Sequence, residues 1–237
     1  MIINQIISLP YKIGREKFLT NKQTSEKDKI FFNFENLKST YSKIENYLSS
    51  FGQFVHPTCE IEKNVTIQGN VYIDEGVKIY SGVKLSGNIY LGKNSVIYNN
   101  AIIRGNTSIG ENSIVCFSTD IKNVIASNNF SVGPICFISD SFIGSNCFFG
   151  GVCRTGNYRF DKKSPSILIQ NKLVSTNLEK FGLIVGDNTI FGMAVISMPG
   201  RIVGSGCQIG SHVQIMKNIE SNKKVILKQN LEITDID

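Results

Sequence analysis

A period of six residues organises the hydrophobic positions in the first half of the chain. Every sixth position is a branched aliphatic residue, and a small or β-branched residue follows four positions later. Neither the 3.6-residue period of an α-helix nor the two-residue alternation of a simple strand fits this pattern. The period predicts an all-β parallel β-helix, in which three hexads form one coil of about 18 residues. The aliphatic positions are Val55, Ile61, Ile67, Ile73, Ile79, Leu85, Leu91, Ile97, Ile103, Ile109, Val115 and Ile121.

The positions between the aliphatic residues are suited to tight corners. Gly, Asn, Asp and Lys are frequent there, as in the unit 91–96, which reads Leu-Gly-Lys-Asn-Ser-Val. Gly and Asn adopt the left-handed backbone conformations that β-branched residues resist. Stacked coils then bury the aliphatic residues in columns, which no single coil could do alone.

The repeat is interrupted at three places in its second half. Its phase slips around Ser127–Phe130, and one residue is missing between Ile138 and Ile143. Residues 156–183 leave the repeat altogether, and Ser166 to Val174 is interpreted there as a short hairpin arm. Long excursions from a compact fold usually carry function, so we expect the functional residues near these interruptions.

The two ends of the chain depart from the repeat. Residues 1–30 fit a small hairpin, an arm on a neighbouring subunit, or partial disorder. Residues 31–50 predict a helix, capped by Asn33 or Asn36, that covers the open edge of the first coil. The resulting division is an N-terminal arm and capping helix (1–54), the β-helix (55–219) and a tail (220–237) that pairs as an end cap. The helix is predicted from the spacing of Leu37, Tyr41, Ile44 and Leu48.

The amino-acid composition excludes few classes of function. The net charge of +6 suits anionic small molecules, although lysines that keep the surface soluble would give the same value. Basic and aromatic residues are not interleaved as in nucleic-acid-binding proteins, so no nucleic-acid partner is expected. Neither a membrane-spanning apolar run nor a signal-peptide pattern occurs, which predicts a cytoplasmic protein without membrane contact.

The six cysteines predict no metal site and no disulfide framework. There is no Cys-x-x-Cys pair, and five cysteines fall on the small-residue positions of the repeat. They are therefore interpreted as buried small hydrophobic residues. These five are Cys59, Cys136, Cys147, Cys153 and Cys207.

Five stretches carry a resemblance to a known family: 103–105 (Ile-Arg-Gly), 120–123 (Asp-Ile-Lys-Asn), 139–144, 157–163 and 184–200. On these motifs the chain resembles the left-handed β-helix acyltransferase domain of bifunctional sugar-1-phosphate nucleotidylyltransferase/acetyltransferases, the N-acetylglucosamine-1-phosphate uridyltransferase type. The resemblance covers roughly residues 33–220 and implies left-handed winding. The α/β nucleotidylyltransferase domain of that family has no counterpart in the sequence. A separate nucleotidylyltransferase is therefore a candidate partner.

The resemblance also implies the site residues. Arg104 and Lys122 match the cations that hold the sugar phosphate, and they lie one full coil apart, which predicts that they stack. Asn157 and Lys163 match two further substrate-binding positions. Acetyl-CoA is the implied acyl donor, and a homotrimer is implied because the family's grooves lie between subunits. Gly151, Met193 and His212 are the candidates for binding the cofactor.

The family's general base is the main departure. The family has a His three residues before a Tyr, where this chain has Pro134 and Phe137. The nearby Cys136 is predicted to point inward, and Asp140 matches a structural position of the family. Proline accepts no proton, and general-base catalysis contributes about 10²–10⁴-fold. The catalytic residue is therefore unassigned.

Three hypotheses follow. The first is an acyl-CoA-dependent transferase, with acetyl-CoA as donor, that acts on an amino-sugar phosphate or nucleotide sugar for cell-envelope or surface polysaccharides. The second is a non-catalytic sugar-phosphate-binding or scaffold homologue. The third, a zinc-dependent carbonic anhydrase of the same repeat class, is disfavoured because His56 and His212 are off the required pattern.

Overall fold

The computed structural model describes residues 37–169 and 172–236. The predicted arm and the capping role of Asn33 or Asn36 lie outside these residues. The described residues form one helix, α1 (Leu37–Ser49), and 22 strands. The strands are β1 (Phe54–Val55), β2 (Glu60–Ile61), β3 (Thr66–Ile73), β4 (Lys78–Ile79), β5 (Lys84–Leu91), β6 (Val96–Ile97), β7 (Ile102–Ile109), β8 (Ile114–Val115), β9 (Asp120–Ala126), β10 (Ser131–Val132), β11 (Phe137–Ile143), β12 (Phe148–Phe149), β13 (Arg154–Thr155), β14 (Ser166–Ile169), β15 (Lys172–Ser175), β16 (Leu183–Val185), β17 (Ile190–Phe191), β18 (Ile196–Ser197), β19 (Arg201–Val203), β20 (Gln208–Ile209), β21 (Gln214–Ile215) and β22 (Lys224–Val225).

The strands stack into a parallel β-helix of about nine coils, as predicted. Each strand pairs in parallel with the equivalent strand of the next coil, and β3 pairs with β5 from Thr66↔Lys84 to Ile73↔Leu91. This register makes one coil equal to three hexads, as the period requires. One sheet of nine strands forms the first face of the solenoid, and the other two faces share a sheet of eleven strands.

The core is built from the predicted aliphatic columns. Ile97, Ile103 and Ile109 come from the three faces of one coil, and none of the three is accessible to solvent. The small-residue positions are buried beside them, including Cys136, Cys147, Cys153 and Cys207. Cys59 is half-buried and packs against the core of the first coils.

The first interruption of the repeat does not lie where the sequence indicated. Ile103 pairs with Ile121, three hexads later, but Ile109 pairs with Ala126, one position short of three hexads, with an irregularity between the two pairs. The missing residue therefore falls at the corner of Asn123, and the slip predicted at Ser127–Phe130 is wrong. Ala126 occupies the aliphatic position one residue early, which hides the deletion in the sequence. The second deletion, between Ile138 and Ile143, is confirmed.

Helix α1 lies against the side of the solenoid and not over its open end. Its buried residues Leu37, Ile44 and Leu48 pack with Tyr72 and Tyr90, which point outward from β3 and β5. Val55 and Ile61 of the first coil remain 37% and 36% exposed. The predicted capping of the first coil is therefore not seen, because the aromatic residues on this face offer the apolar stripe of the helix a larger partner surface.

The excursion and the tail both form strands. β14 and β15 form an antiparallel hairpin in which Ser166 pairs with Ser175, as the sequence of the excursion indicated. At the other end, Lys224 and Val225 pair with Gln208 and Ile209 and extend the first face by one strand. The tail therefore covers part of the last coil.

Candidate functional site

The two predicted phosphate-binding cations stack on neighbouring coils. Arg104 of β7 and Lys122 of β9 are direct register partners, as their spacing predicts. Both precede the same corner of the solenoid, which runs through Gly105, Asn123 and Asp140 and which we call the third corner. The third corner is also where both one-residue deletions occur.

Each of these cations faces a carboxylate that the sequence had not assigned to it. Arg104 donates from Nε (3.0 Å) and Nη2 (2.9 Å) to the two oxygens of Asp120, and this pairing raises the pKa of the guanidinium. The pair is half-buried, and its bidentate geometry fixes the plane of the guanidinium. In the part of the chain that the structure describes, Nη1 makes no hydrogen bond. That edge is available to a ligand.

Asp140 connects Lys122 to the start of the excursion. Its side chain is 6% exposed and lies with Oδ2 3.8 Å from Lys122 Nζ. Asn123 donates to Oδ1 (2.8 Å) and Asn157 donates to Oδ2 (2.6 Å). A buried carboxylate is tolerated only when it is paired and hydrogen-bonded in this way. Asp140 therefore holds Lys122 and Asn157 in one cluster.

Asp140 also sits in a backbone conformation that the repeat normally reserves for Gly or Asn. Its φ is 48°, and Asn123, one coil earlier, has a φ of 51°. Short polar side chains are the residues other than Gly that most often accept this conformation. The corner can therefore place a carboxylate where Gly69, Gly87 and Gly105 have no side chain.

The structure places Lys163 on the exposed surface of the excursion. Its backbone N–H donates to Asp161 Oδ1 (3.2 Å), and the Asp161 carboxylate is bound by Arg159 through two hydrogen bonds of 2.8 and 2.6 Å. No contact joins Lys163 to Arg104, Lys122 or Asp140 among the described residues. The structure thus clusters three of the four predicted substrate-binding residues, and Lys163 stands apart on the loop.

The three predicted cofactor-binding residues lie on another corner. Gly151 accepts a hydrogen bond from Ala194 N–H (2.9 Å), and Met193 accepts one from His212 N–H (2.9 Å). Gly151, Met193 and the residue before His212 therefore stack on successive coils. His212 and Met193 are exposed, and their binding role stays a prediction.

The same corner contains the position of the missing base. Pro134 accepts a hydrogen bond from Val152 N–H (2.9 Å) and offers no titratable atom. Cys136 is buried and donates to the Gly150 carbonyl oxygen (3.2 Å), as its predicted inward orientation requires. Ile135 and Val152 have φ values of 57° and 65°, a conformation that is unusual for β-branched residues.

Helix α1 adds a side chain to the Asp140 cluster that the sequence had indicated only as part of an apolar stripe. Tyr41 packs edge-on against Phe142, with ring centroids 5.2 Å apart. Its hydroxyl is buried without a hydrogen-bond partner among the described residues. Burial, and then the charge of Asp140, raise the pKa of Tyr41 well above its ordinary value. Only the fold brings Tyr41 near Asp140, so no spacing in the sequence signals it.

The described residues form neither a metal-binding cluster nor a membrane-spanning helix. In 37–169 and 172–236, no group of three or more His, Cys, Asp or Glu side chains is arranged to hold a metal ion. No helix in these ranges is both long enough and apolar enough to cross a membrane.

Comparison with curated proteins finds extensive similarity to one group. The chain is 51% identical over 175 residues to the bifunctional protein GlmU of Methanococcus maripaludis (strain C7). The aligned region covers 74% of this chain and 42% of that protein. The chain is 41% identical over 172 residues to GlmU of Methanocaldococcus jannaschii, with 73% and 42% covered. The similarity covers one part of each of these GlmU proteins. The chain spans less than half the length of these GlmU proteins.

Two other comparisons complete this result. The chain is 33% identical over 105 residues to the uncharacterized acetyltransferase YaiX of Escherichia coli, covering 44% of this chain and 46% of that protein. Among solved structures it matches the polysialic acid O-acetyltransferase OatWY with 17% identity and a TM-score of 0.37, over 74% of this chain and 93% of that chain. No model of a known protein family matches the sequence.

Proposed function

We propose that this GlmU homologue is an acyl-CoA-dependent transferase, with acetyl-CoA as donor, that acylates an amino-sugar phosphate or nucleotide sugar. The observation that carries the proposal is the stack of Arg104 on Lys122, joined to Asn157 through Asp140. Two adjacent cations with an amide donor provide the groups that bind a phosphate.

The acids beside these cations determine how the site would bind a phosphate. Asp120 and Asp140 balance the charges of Arg104 and Lys122, so the cluster is not a strong general anion attractor. Its specificity comes from orientation, because the acids hold Nη1 of Arg104 and Nζ of Lys122 in place. Ligand groups held in a fixed orientation bind with a smaller loss of conformational freedom.

The donor site and the oligomeric state belong to the same proposal. Gly151, Met193 and His212 are proposed to line the acetyl-CoA groove, with a second subunit on its other side in a homotrimer. The exposed apolar residues of this corner support a subunit contact: Met193 is 58% exposed and Ile135 is 47% exposed. A separate nucleotidylyltransferase is proposed as a partner of this chain.

One observation favours a second function. Pro134 and Phe137 stand where the resembled family has its base and a tyrosine, so a protein that binds the sugar phosphate without acylating it fits the site equally well. Catalysis without this base would depend on positioning the amine and on stabilising the oxyanion.

A titration separates the two functions. We would titrate the full chain calorimetrically with acetyl-CoA and with glucosamine-1-phosphate, and then measure free-thiol release from the mixture. Binding of both ligands with CoA release establishes the transferase. Binding of the sugar phosphate alone, without CoA release, establishes the non-catalytic alternative.

The site itself is tested by substitution. Arg104→Ala combined with Lys122→Ala is expected to abolish glucosamine-1-phosphate binding. Lys93→Ala is the matched control, because Lys93 also pairs with an acid (Glu75, 2.7 Å) but lies on a different corner. Unchanged affinity in the double variant would remove the Arg104–Lys122 pair from the proposal. Size measurement in solution is expected to give three chains per particle, and a monomer would exclude a site between subunits.

A further inference from the structure

Arg201 differs in size and charge from the residues of earlier coils that stack in the same column of the solenoid. It is the first residue of β19 and pairs with Leu183 of β16. The equivalent positions of earlier coils hold buried residues, including Val71, Val124 and Ser141. At Arg201 a long cationic side chain takes the place of the small or aliphatic residues of these earlier coils.

The guanidinium of Arg201 is only partly satisfied by the protein. Its Nε is buried and has no hydrogen-bond partner, and no carboxylate lies within ion-pair distance of it in the described part of the chain. Arginine remains charged in proteins, so this is a cation held partly out of water without a counter-charge. Such an arrangement is expected where an anionic ligand supplies the missing acceptor.

The excursion brings a second guanidinium to the same place. Phe181 N–H donates to Asn157 O (2.8 Å) and Gly200 N–H donates to Gly182 O (2.8 Å), so the start of the excursion lies beside the residues that lead into Arg201. The hairpin strand in the middle of the excursion is also close, because a Cβ on Gly200 would collide with the carbonyl oxygen of Ser166. Arg159 lies between Asn157 and Ser166 along the chain, so both neighbouring segments are held beside the residues that lead into Arg201.

The charge of Arg159 acts on Arg201. Burial lowers the pKa of Arg201, and the neighbouring positive charge of Arg159 lowers it further. Arg159 is itself paired with Asp161, which leaves the three groups with a net charge of one positive unit.

We propose that Arg159 and Arg201 bind a second phosphate-class anion, separate from the Arg104–Lys122 pair. The two sites lie on either side of the third corner and four coil steps apart: Arg104 stacks with Lys122 and Ser139 before the corner, whereas Arg201 follows the corner, in the strand whose Ile202 stacks with Ile184 and Phe142. Adjacent strands lie about 4.8 Å apart, so the two sites are separated by roughly 19 Å along the axis. Planar guanidinium groups suit this ligand because they bind phosphate oxygens in a bidentate manner.

The experiment measures binding of inorganic phosphate to the full chain in the Arg104→Ala/Lys122→Ala background, at low ionic strength with sodium chloride as the reference salt. Calorimetry is expected to show phosphate binding in this background, because the second site is intact. Adding Arg201→Met is expected to weaken that binding at least tenfold. Lys224→Met, which removes an exposed cation from the last strand, is the control and is expected to change nothing.

Thermal melting separates lost binding from lost folding. Phosphate is expected to raise the melting temperature of the background variant, since a ligand that binds only the folded state stabilises it. This rise is expected to vanish with Arg201→Met while the melting temperature without phosphate is retained. Arg159→Gln, on the surface of the excursion, provides a second test that does not disturb the core.

The possible results distinguish the two sites. Loss of all phosphate binding in the Arg104→Ala/Lys122→Ala background would overturn the second site and leave the first intact. Undiminished binding after both Arg201→Met and Arg159→Gln would likewise overturn it. Loss of binding with Arg201→Met alone, in a chain that retains Arg104 and Lys122, would support the second site and contradict the first.

Discussion

Asp140→Asn is the substitution that most directly tests how the site is held together. The change is nearly isosteric, and Asn tolerates the φ of 48° at this position. The buried carboxylate now accepts hydrogen bonds from Asn123 (2.8 Å) and Asn157 (2.6 Å) and lies 3.8 Å from Lys122 Nζ. The amide oxygen introduced at position 140 could accept a hydrogen bond from only one of the two asparagine side chains. Its NH₂ group would then face the NH₂ group of the other asparagine. Lys122 loses its counter-charge as well.

The magnitude follows from these contacts. A hydrogen bond to a charged group contributes about 1.5–3 kcal/mol, and a buried donor left without an acceptor costs about 1–3 kcal/mol. Part of each cost is recovered by the remaining amide oxygen. We therefore expect a net loss of about 3 kcal/mol, which corresponds to a fall in melting temperature of roughly 6–12 °C for a domain of 150–250 residues.

The assay is thermal unfolding of the full chain followed by circular dichroism. Asp187→Asn is the matched control, because Asp187 Oδ1 accepts one hydrogen bond from Ser145 N–H (2.6 Å) and an amide oxygen can replace it. The control is expected to lower the melting temperature by less than about 3 °C. If Asp140→Asn melts within about 2 °C of the unmodified protein, the carboxylate does not hold the cluster and the reasoning is refuted.

Three further predictions follow from buried polar groups. Tyr41→Phe is expected to leave the melting temperature unchanged or to stabilise the folded state by about 1 kcal/mol, because its hydroxyl is buried without a partner among the described residues. Tyr90→Phe loses a 3.0 Å hydrogen bond to Asp74 and is expected to destabilise the folded state by about 1.5–3 kcal/mol. Equal losses of stability in the two variants would contradict this prediction. Ser197→Val should stabilise by about 1 kcal/mol in urea unfolding, since the Ser197 hydroxyl is buried without a partner beside a small cavity. Burial raises the pKa of Cys147 to about 12, so its thiol should stay protonated at pH 8 and resist Ellman's reagent until the protein unfolds; rapid native labelling of Cys147, located by peptide mapping, would refute this.

The sequence predicted the solenoid and its register because both depend on a local period. Twelve aliphatic residues at spacing six determine which side chains face inward, and a coil of three hexads follows. The stacking of Arg104 on Lys122 follows from the same period, because the two residues are one coil apart, and the pairing of β7 with β9 confirms it. These features required no knowledge of how distant parts of the chain meet.

Other features depend on contacts that no period encodes. Asp120 reaches Arg104 because it lies one coil later and two positions earlier along the strand, a relation that shows only after the coils are stacked. Helix α1 has an apolar stripe, but the stripe does not reveal whether it covers the end of the solenoid or its side. The position of the first deletion was misassigned because Ala126, a small residue, occupies an aliphatic position.

The corner at Pro134 limits what chemistry the chain can retain. Asp120 accepts two hydrogen bonds from the guanidinium of Arg104, and Asp140 accepts one from each of two asparagine amides, so both carboxylates of the third corner help to hold the site together. Left-handed backbone at Ile135 and Val152 costs of order 1–3 kcal/mol each and lies directly beside the proline. Strain of this kind persists only where surrounding contacts enforce it, and both side chains are exposed in the single chain. The contacts that enforce it are therefore expected from another subunit or from the donor. Because Pro134 supplies no proton acceptor, we expect this corner to hold a bound partner in position, and an acylation without a base there needs the acceptor amine in its neutral form.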